Sequence, residues 1–373
     1  MRRSIATLSM VRQPMLRAGV ALLGLAACRD PRPAPAPDAA RPPVTAPTVA
    51  RRPDAPAARP TPDAAPPPPD APSPAPHADA SAVTRGFLGL DDEATLARIC
   101  NATFARVERN RGGSTVSFKV RFENNQKALF KPQQRAEVAN YRAELAAYRM
   151  SRLLGIHRVP PACGRVVPRA TLQRAGDASG DEAFSRRVMT ELLGRAEAIP
   201  GAVLYWVPGA LEPVPGAETY AALLDPAQPL DPAQEGVAAD LSTLILFDFL
   251  NDNVDRWSGG NILRQRAEGA NPPGPMLYMD NGASFSAIHE GRGARPEEQA
   301  RRLAAVGRFS RSFVASLRAL TRESIRAAVA ADPLGPCLSD AQIDAVLTRR
   351  DLIVARVDAV VRERTEAVAL PFP

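Results

Sequence analysis

The sequence predicts a two-lobed α+β domain, an antiparallel sheet followed by a mainly helical lobe, behind a long N-terminal tether without fixed structure. Three observations lead there. Of the 38 prolines, 18 fall between Pro31 and Pro76. Apolar and polar residues alternate from Thr103 to Phe130 with the period of half-buried strands. Helical spacing then takes over, above all from Pro296 to Glu366. Strands first and helices later argue for two lobes with a cleft between them.

At the N-terminus, Arg2, Arg3, Arg12 and Arg17 precede an apolar run from Ala18 to Ala27, and Leu25-Ala26-Ala27 leads into Cys28. A charged flank, a short apolar stretch and small residues before the cut are the layout of a secretory signal, and the run is too short to span a bilayer. The Cys after Leu-Ala-Ala resembles the bacterial lipobox. That resemblance implies removal of residues 1–27, lipidation of Cys28, and an exported protein anchored by buried acyl chains to the bacterial cell envelope. Residues 28–83, rich in Pro, Ala, Asp and Arg, lack the large apolar side chains that offset the entropy of ordering a backbone. They read as a disordered, partly polyproline-II linker. The folded domain is then 84–373, with an N-lobe of about 84–207 and a C-lobe of about 208–373.

The formal charge of +7 would ordinarily raise nucleic acid as a partner. Here the cations stand singly among acids and aromatics are only 5% of the chain, so a nucleic-acid-binding role is set aside. Only three of the 47 basic residues are lysine, Lys119, Lys127 and Lys131, all within thirteen positions. In a chain that otherwise uses Arg, this draws attention to one segment, where a compact point charge has been kept.

Two strand-like runs, Phe104 to Glu108 and Val116 to Phe122, flank Asn110-Arg111-Gly112-Gly113, a hairpin signal because glycine supplies the positive φ of a tight turn. A third run, Lys127 to Lys131, follows Asn124-Asn125 and is ended by Pro132. Val138, Tyr141, Leu145, Tyr148 and Leu153 mark a helix from Arg135 to Leu154, closed by Gly155. Between Ala170 and Glu235 the only clear element is a strand at Ala202 to Val207. An apolar helix from Ala238 to Phe249 runs into Asn251-Asp252-Asn253-Val254-Asp255-Arg256. Strands at Asn261 to Arg264 and Met276 to Met279 follow, then a helical tail broken between Asp332 and Asp340 by Pro333, Gly335 and Pro336. Beyond Cys28, the cysteines Cys100, Cys163 and Cys337 admit either one disulfide or three buried thiols.

In chain order the chain offers a Gly-rich hairpin, a Lys at a strand end, a Glu in the next helix, an Asp after an apolar helix, an Asn six residues on, and an Asp-Gly-containing turn. Phosphoryl transfer from a nucleotide needs this set: a backbone turn over the phosphates, a Lys to neutralise them, a Glu to fix the Lys, an Asp to take a hydroxyl proton, and Asn and Asp to hold metal ions. Each member alone has a plainer reading. Gly112-Gly113 is a hairpin turn, Lys131 a solvated strand end, Glu144 an exposed helix residue, Asp255-Arg256 a surface ion pair, and Asp280-Asn281-Gly282 a two-residue turn between strands.

Three stretches bear on the choice. Ala143-Glu144-Leu145-Ala146-Ala147-Tyr148 running on to Arg158-Val159-Pro160-Pro161-Ala162-Cys163-Gly164-Arg165, then Phe247-Asp248-Phe249-Leu250 with Asn253-Val254-Asp255-Arg256, and Met279-Asp280-Asn281-Gly282-Ala283-Ser284-Phe285 are similar to the Golgi casein kinase and xylosylkinase family (family with sequence similarity 20). The resemblance extends from about Phe104 to Glu366. It implies a two-lobed atypical protein-kinase-like fold, ATP or another nucleoside triphosphate as donor, Mn2+ or Mg2+, and a protein or glycan hydroxyl as acceptor. It places the nucleotide-gripping lysine at Lys131, the helix glutamate that organises that lysine or the metal at Glu144, the catalytic aspartate at Asp255 and a metal-binding aspartate at Asp280. Gly112 and Gly113 would cover the phosphates, and Tyr205, Trp206 and Val207 would face the adenine. Trp257 stands where that family has His. Asn261, expected as a metal ligand, lies one residue farther from Asp255 than in the related lipid and HipA-type kinases. The family's dense disulfides are missing. Three other readings stay open at this point: an exported pseudokinase or nucleotide-binding scaffold, a nucleotidyl transferase on the same fold, and a structural envelope lipoprotein.

Overall fold

The computed structural model describes residues 86–193, 197–257, 260–269, 272–285 and 296–373, all within one compact unit, His77–Pro373. The signal segment 1–27 and the whole linker 28–83, with Cys28, lie outside the described residues. No described helix is long and apolar enough to cross a membrane.

The upper lobe opens with α1 (Asp92–Cys100), whose first turn is capped by the Asp91 carboxylate accepting from the Glu93 and Ala94 amides. Strands β1 (Phe104–Arg109), β2 (Phe118–Phe122) and β3 (Lys127–Pro132) follow, then α2 (Tyr141–Leu153), β4 (Ala162–Pro168), α3 (Arg169–Asp177), α4 (Glu182–Glu191) and β5 (Ala198–Tyr205). The five strands form one sheet in the order β1-β2-β3-β5-β4, antiparallel throughout. Phe118, Val120 and Phe122 of β2 and Ala128 and Phe130 of β3 fill the upper core with Val203 of β5. The two-residue period therefore turns Leu129 and Lys131 to the opposite face, toward the other lobe. A disulfide between Cys100 and Cys163 ties α1 to β4 and leaves Cys337 as a buried free thiol. Of the alternatives open in the sequence, one bridge and one thiol is the arrangement formed.

Several boundaries differ from expectation. The helix expected from Arg135 starts at Tyr141, because a 3-10 turn at Glu137–Ala139 intervenes and Asn140 caps the helix with its side chain. The strand expected at Ala202 to Val207 is Ala198–Tyr205, so Trp206 and Val207 lie just past its end. The short strands of the lower lobe are Leu263–Gln265 and Met276–Leu277, not Asn261 to Arg264 and Met276 to Met279. Strand β4 and helices α3 and α4 are absent from the sequence reading; the two helices fall almost wholly in the stretch where periodicity was weak, and β4 lies just before it.

The lower lobe contains β6 (Leu211–Pro213), α5 (Tyr220–Leu223), α6 (Glu235–Asn251), β7 (Leu263–Gln265) and β8 (Met276–Leu277). After these come α7 (Pro296–Ala305), α8 (Arg311–Ala319), α9 (Arg322–Ala330), α10 (Asp340–Glu363) and α11 (Glu366–Ala369). Helix α6 buries Leu241, Leu244, Ile245, Leu246, Phe247 and Leu250 around nearly its whole circumference, as expected of a central core helix. Helix α10 packs against α6, α8 and α9. The small sheet β6-β7-β8 lies under the cleft.

Helix α2 is fastened to the lower lobe along its outer side. It packs against α9. Arg142 donates to the Pro336 carbonyl at 2.7 Å, and Arg149 donates to the Ala331 carbonyl at 3.4 Å and lies 3.6 Å from Asp332. The Asp332 carboxylate in turn accepts the Gly164 amide of β4 at 3.0 Å. A Cβ at Gly164 would stand 2.4 Å from that carboxylate, so only glycine permits the approach.

Candidate active site

Strand β3 delivers Lys131 to the cleft at its last turn inward. The side chain is 11% exposed, and its ammonium donates to Glu144 Oε1 and, at 2.6 Å, to Asp280 Oδ1. Burial alone would pull this lysine down. The carboxylates of Asp280 and Glu144 outweigh it and hold the ammonium above its ordinary range. Asp280 is held below the usual carboxylate range, first by the Lys131 charge. Lys131 is thus not a solvated strand end.

Glu144 sits in the first turn of α2, where the helix dipole favours a carboxylate, and its side chain is 1% exposed. Besides Lys131 it accepts the Asn281 amide at 3.1 Å, so one carboxylate joins β3, α2 and the loop after β8. That loop is not a hairpin turn: β8 ends at Leu277, Asp280 takes a left-handed backbone (φ 57°), and the chain folds onto the start of α2. The Asn140 amide donates to the Gly282 carbonyl at 3.1 Å. A Cβ at Gly282 would lie 2.8 Å from the Val138 carbonyl, which explains the glycine there. Asp280 is one of the few residue types that tolerates the left-handed region, through its short polar side chain. Its carboxylate is 49% exposed.

Asp255 follows α6. The helix stops at Asp252, again left-handed (φ 56°). The Asn253 side chain then accepts the Asp255 amide at 3.1 Å, a side-chain turn that fixes the local backbone. The Asn261 carboxamide donates to the Asp255 carbonyl at 3.3 Å, tying the expected catalytic aspartate to an expected metal ligand.

Arg256 corrects the surface ion-pair reading, for it is fully buried. Its guanidinium donates to the Asp248 carboxylate (3.1 Å) and to the Asn281 side chain (2.8 Å). It also donates to the carbonyls of Asn261 (3.3 Å) and Met279. One planar, multi-donor group therefore fixes the Asp255 loop, the Asn261 segment and the Asp280 loop against α6. Burial pushes Asp248 up, against the pull of Arg256. The signal available in the sequence was Asp248, an acid inside the apolar run Phe247-Asp248-Phe249 that required a cation.

The ten expected site positions line one cavity of about 400 Å³. Gly112 and Gly113 meet it from the β1–β2 turn, with Gly113 at φ 85°. Tyr205, Trp206 and Val207 line the end beyond β5, together with Leu129, Leu211 and Leu263. Lys131, Glu144, Asp255, Asn261 and Asp280 line the polar part. The apolar end suits a flat base and the polar end a polyanion with a hard cation. Among the described residues no cluster of three or more His, Cys, Asp or Glu side chains could hold an ion unaided. The half-exposed Asp280 carboxylate and the Asn261 carboxamide instead fit an ion such as Mg2+ or Mn2+ that takes part of its oxygen shell from phosphate. Trp257 does not line this cavity. It packs between Tyr220, at 5.1 Å between ring centroids, and the Arg302 guanidinium at 5.0 Å.

A sequence profile of the family described as "Golgi casein kinase, C-terminal, Fam20" matches residues 91–178, from the cap of α1 to the end of α3. Among solved structures, the Golgi casein kinase aligns with a TM-score of 0.60 at 17% identity, over 77% of this chain and 79% of that one. The Golgi casein kinase with Mn/ADP bound gives 0.61 at 16% identity, over 77% and 80%. Hydra Fam20 with sugar gives 0.60 at 18% identity, over 77% and 95%. Against curated protein sequences the chain finds no match. The two-lobed kinase-like fold expected from the sequence is the fold observed. The resemblance to the Golgi casein kinase family rests on the matched segment together with that fold.

Proposed function

We propose that this protein is a metal-dependent phosphotransferase that moves a phosphoryl group from a nucleoside triphosphate to a hydroxyl of a protein or glycan. The observation that carries the reading is Lys131, bonded at once to Glu144 of α2 and Asp280 of the lower lobe, in a cavity that Asp255 and the glycine turn also line. In this reading Tyr205, Trp206 and Val207 receive the base, and Gly112 and Gly113 cover the phosphates. Lys131, fixed by Glu144, neutralises phosphate charge. Asp255 takes the proton of the acceptor hydroxyl as its oxygen bonds to phosphorus and the bond to the departing nucleoside diphosphate breaks. Asp280 and Asn261 would hold Mg2+ or Mn2+, which supplies charge neutralisation at the phosphates when bound. The chain's own contribution is positioning and electrostatics rather than a covalent intermediate. The named solved relatives, one with Mn/ADP and one with sugar, support nucleotide, manganese and a hydroxyl-bearing acceptor as reagents to try first. Export and acylation at Cys28 remain part of the proposal and rest on the sequence alone.

The test uses the full chain with Cys28→Ser, supplied with ATP and Mn2+ or Mg2+ and with casein-like peptides, glycans or no added acceptor. Mass spectrometry should show an added phosphate that Asp255→Asn and Asp280→Ala lose. An added nucleotide would reassign the site to nucleotidyl transfer. Nucleotide-dependent stabilisation without any transfer would reassign it to a binding scaffold. Neither transfer nor stabilisation would remove the proposal.

A further inference from the structure

The turn between β1 and β2 is held in place by residues that touch neither the cavity nor, in the reading above, the nucleotide. Gln134, two residues past the end of β3, is 7% exposed. Its side chain accepts the Val116 amide at 2.9 Å and donates to the Val116 carbonyl at 2.8 Å, pairing with that peptide as a neighbouring strand would. On the other side, Arg187 of α4 donates to the Ser114 carbonyl at 2.8 Å. Its guanidinium is set by Glu191, one turn along the helix, at 2.6 and 3.2 Å. Helix α4 is itself fixed to the strand that enters the turn. The Arg109 guanidinium at the end of β1 pairs with Asp181, the cap of α4, and lies 4.9 Å from the Phe184 ring. Phe184 packs edge-on against Phe118 at the start of β2. Both ends of the turn and two peptides within it are therefore braced from α4 and from the segment that follows Lys131.

A glycine turn free at its tip would have to be ordered each time a ligand bound, and that ordering cost would appear as weaker binding. Here the Ser114 and Val116 peptides are already oriented, next to the glycines that line the cavity. We propose that Arg187, held by Glu191, is a positioning residue for the nucleotide: by fixing the Ser114 carbonyl it sets the glycine turn over the phosphate end before binding. Gln134 does the same from the other side, and couples the height of the turn to the strand that carries Lys131. This rests on the nucleotide reading of the cavity and adds to it a role for α4. Arg187 suits the test because it is 37% exposed, so truncation leaves the core intact.

The experiment compares the full chain carrying Cys28→Ser with the same chain carrying Arg187→Ala, Arg187→Lys or Glu191→Gln. Affinity for ADP with Mn2+ is read by calorimetry, the donor KM and kcat by phosphate transfer, and backbone exchange at 112–117 by mass spectrometry. Arg187→Ala should weaken ADP binding and raise the donor KM about tenfold, the equivalent of one charge-assisted hydrogen bond. Over the same change kcat should stay within about threefold and Tm within about 2 °C. Exchange at 112–117 should rise, and Arg187→Lys should recover part of the affinity. ADP binding equal to wild type, a fall in kcat at constant KM, or a loss that merely follows a lowered Tm and is not relieved by Lys would each overturn the proposal. A wild type that binds no nucleotide would remove the parent reading and this one together, whereas binding that Arg187→Ala leaves untouched would remove this one alone.

Discussion

Lys131 bonds two carboxylates, and the structure assigns them unequal energetic weight. Toward Glu144 the pair is enclosed, with side-chain exposures of 11% and 1%. Toward Asp280 it is open, because that carboxylate is 49% exposed. Lys131→Met leaves the buried Glu144 charge without its counter-ion, a change that costs about 3–5 kcal/mol. Asp280→Asn leaves Lys131 paired with Glu144 and gives up only a screened contact, about 1 kcal/mol or less. Adding Glu144→Gln to Lys131→Met removes the stranded charge while keeping an acceptor for the Asn281 amide, so it should recover most of the loss. At roughly 2–4 °C per kcal/mol for a domain of this size, Lys131→Met should melt some 6–20 °C lower and Asp280→Asn within about 4 °C of wild type. Urea unfolding followed by circular dichroism, without ligand, gives the three values. In the same samples with ADP and Mn2+, Asp280→Asn, nearly silent in stability, should lose the ligand-dependent rise as fully as Lys131→Met does. Equal costs for Lys131→Met and Asp280→Asn, or a Lys131→Met cost below about 1 kcal/mol, would show that the enclosed pair does not form in solution, and the reasoning would fail.

Three further outcomes are expected. Asp280 titrates below its ordinary value of 3.8, so its contribution is present above that value and is lost as the pH falls through the lowered one. Lys131 titrates above its ordinary 10.5, so its contribution is full below that value and is lost only in stronger alkali. The difference in unfolding midpoint between wild type and Asp280→Asn should then be flat from about pH 5 to 9 and close in strong acid. A slope near neutrality would contradict the assignment. Burial pushes the Cys337 thiol up to about 12, so with Cys28→Ser the native chain should not react with a disulfide reagent at pH 8. One thiol should appear in denaturant and three after reduction, because Cys100 and Cys163 are bridged. Arg256→Met strands Asp248, whose side chain is 6% exposed, and should cost about 3–5 kcal/mol. A second change, Asp248→Leu, should restore stability without restoring transfer, because the contacts to Asn281, Asn261 and Met279 stay broken; recovery of activity would reduce Arg256 to a packing role.

What could be read from the sequence follows from where the determining forces act. The β1–β2 run was legible because Phe118, Val120 and Phe122 alternate with Lys119 and Arg121, and the same two-residue period carried into β3 sets the side on which Lys131 emerges. Helix α6 was legible because apolar residues crowd its length. The ten site positions were placed by family resemblance and chain order, and all of them face the same cavity. Strand β4 was not legible behind Pro160-Pro161, nor were α3 and α4. Their buried anchors are few, Leu172, Ala175 and Gly176 in one helix, Phe184 and Val188 in the other. Arg256, Gln134 and Arg187 escaped notice for another reason. A polar side chain is solvated by default, and only the tertiary fold encloses Arg256 among carbonyls or turns Gln134 toward a peptide.

The attachment of α2 bears on control. The Lys131–Glu144 pair would open most simply by swinging this helix outward. Here that rotation would detach Arg142 from Pro336 and Arg149 from Ala331, and would part the helix from α9. These contacts come from the opposite lobe and from far along the chain, so the pair is built shut as a consequence of folding itself. In the proposed phosphotransferase, output would then follow the supply of donor, cation and acceptor, because opening this pair means breaking contacts that join the lobes.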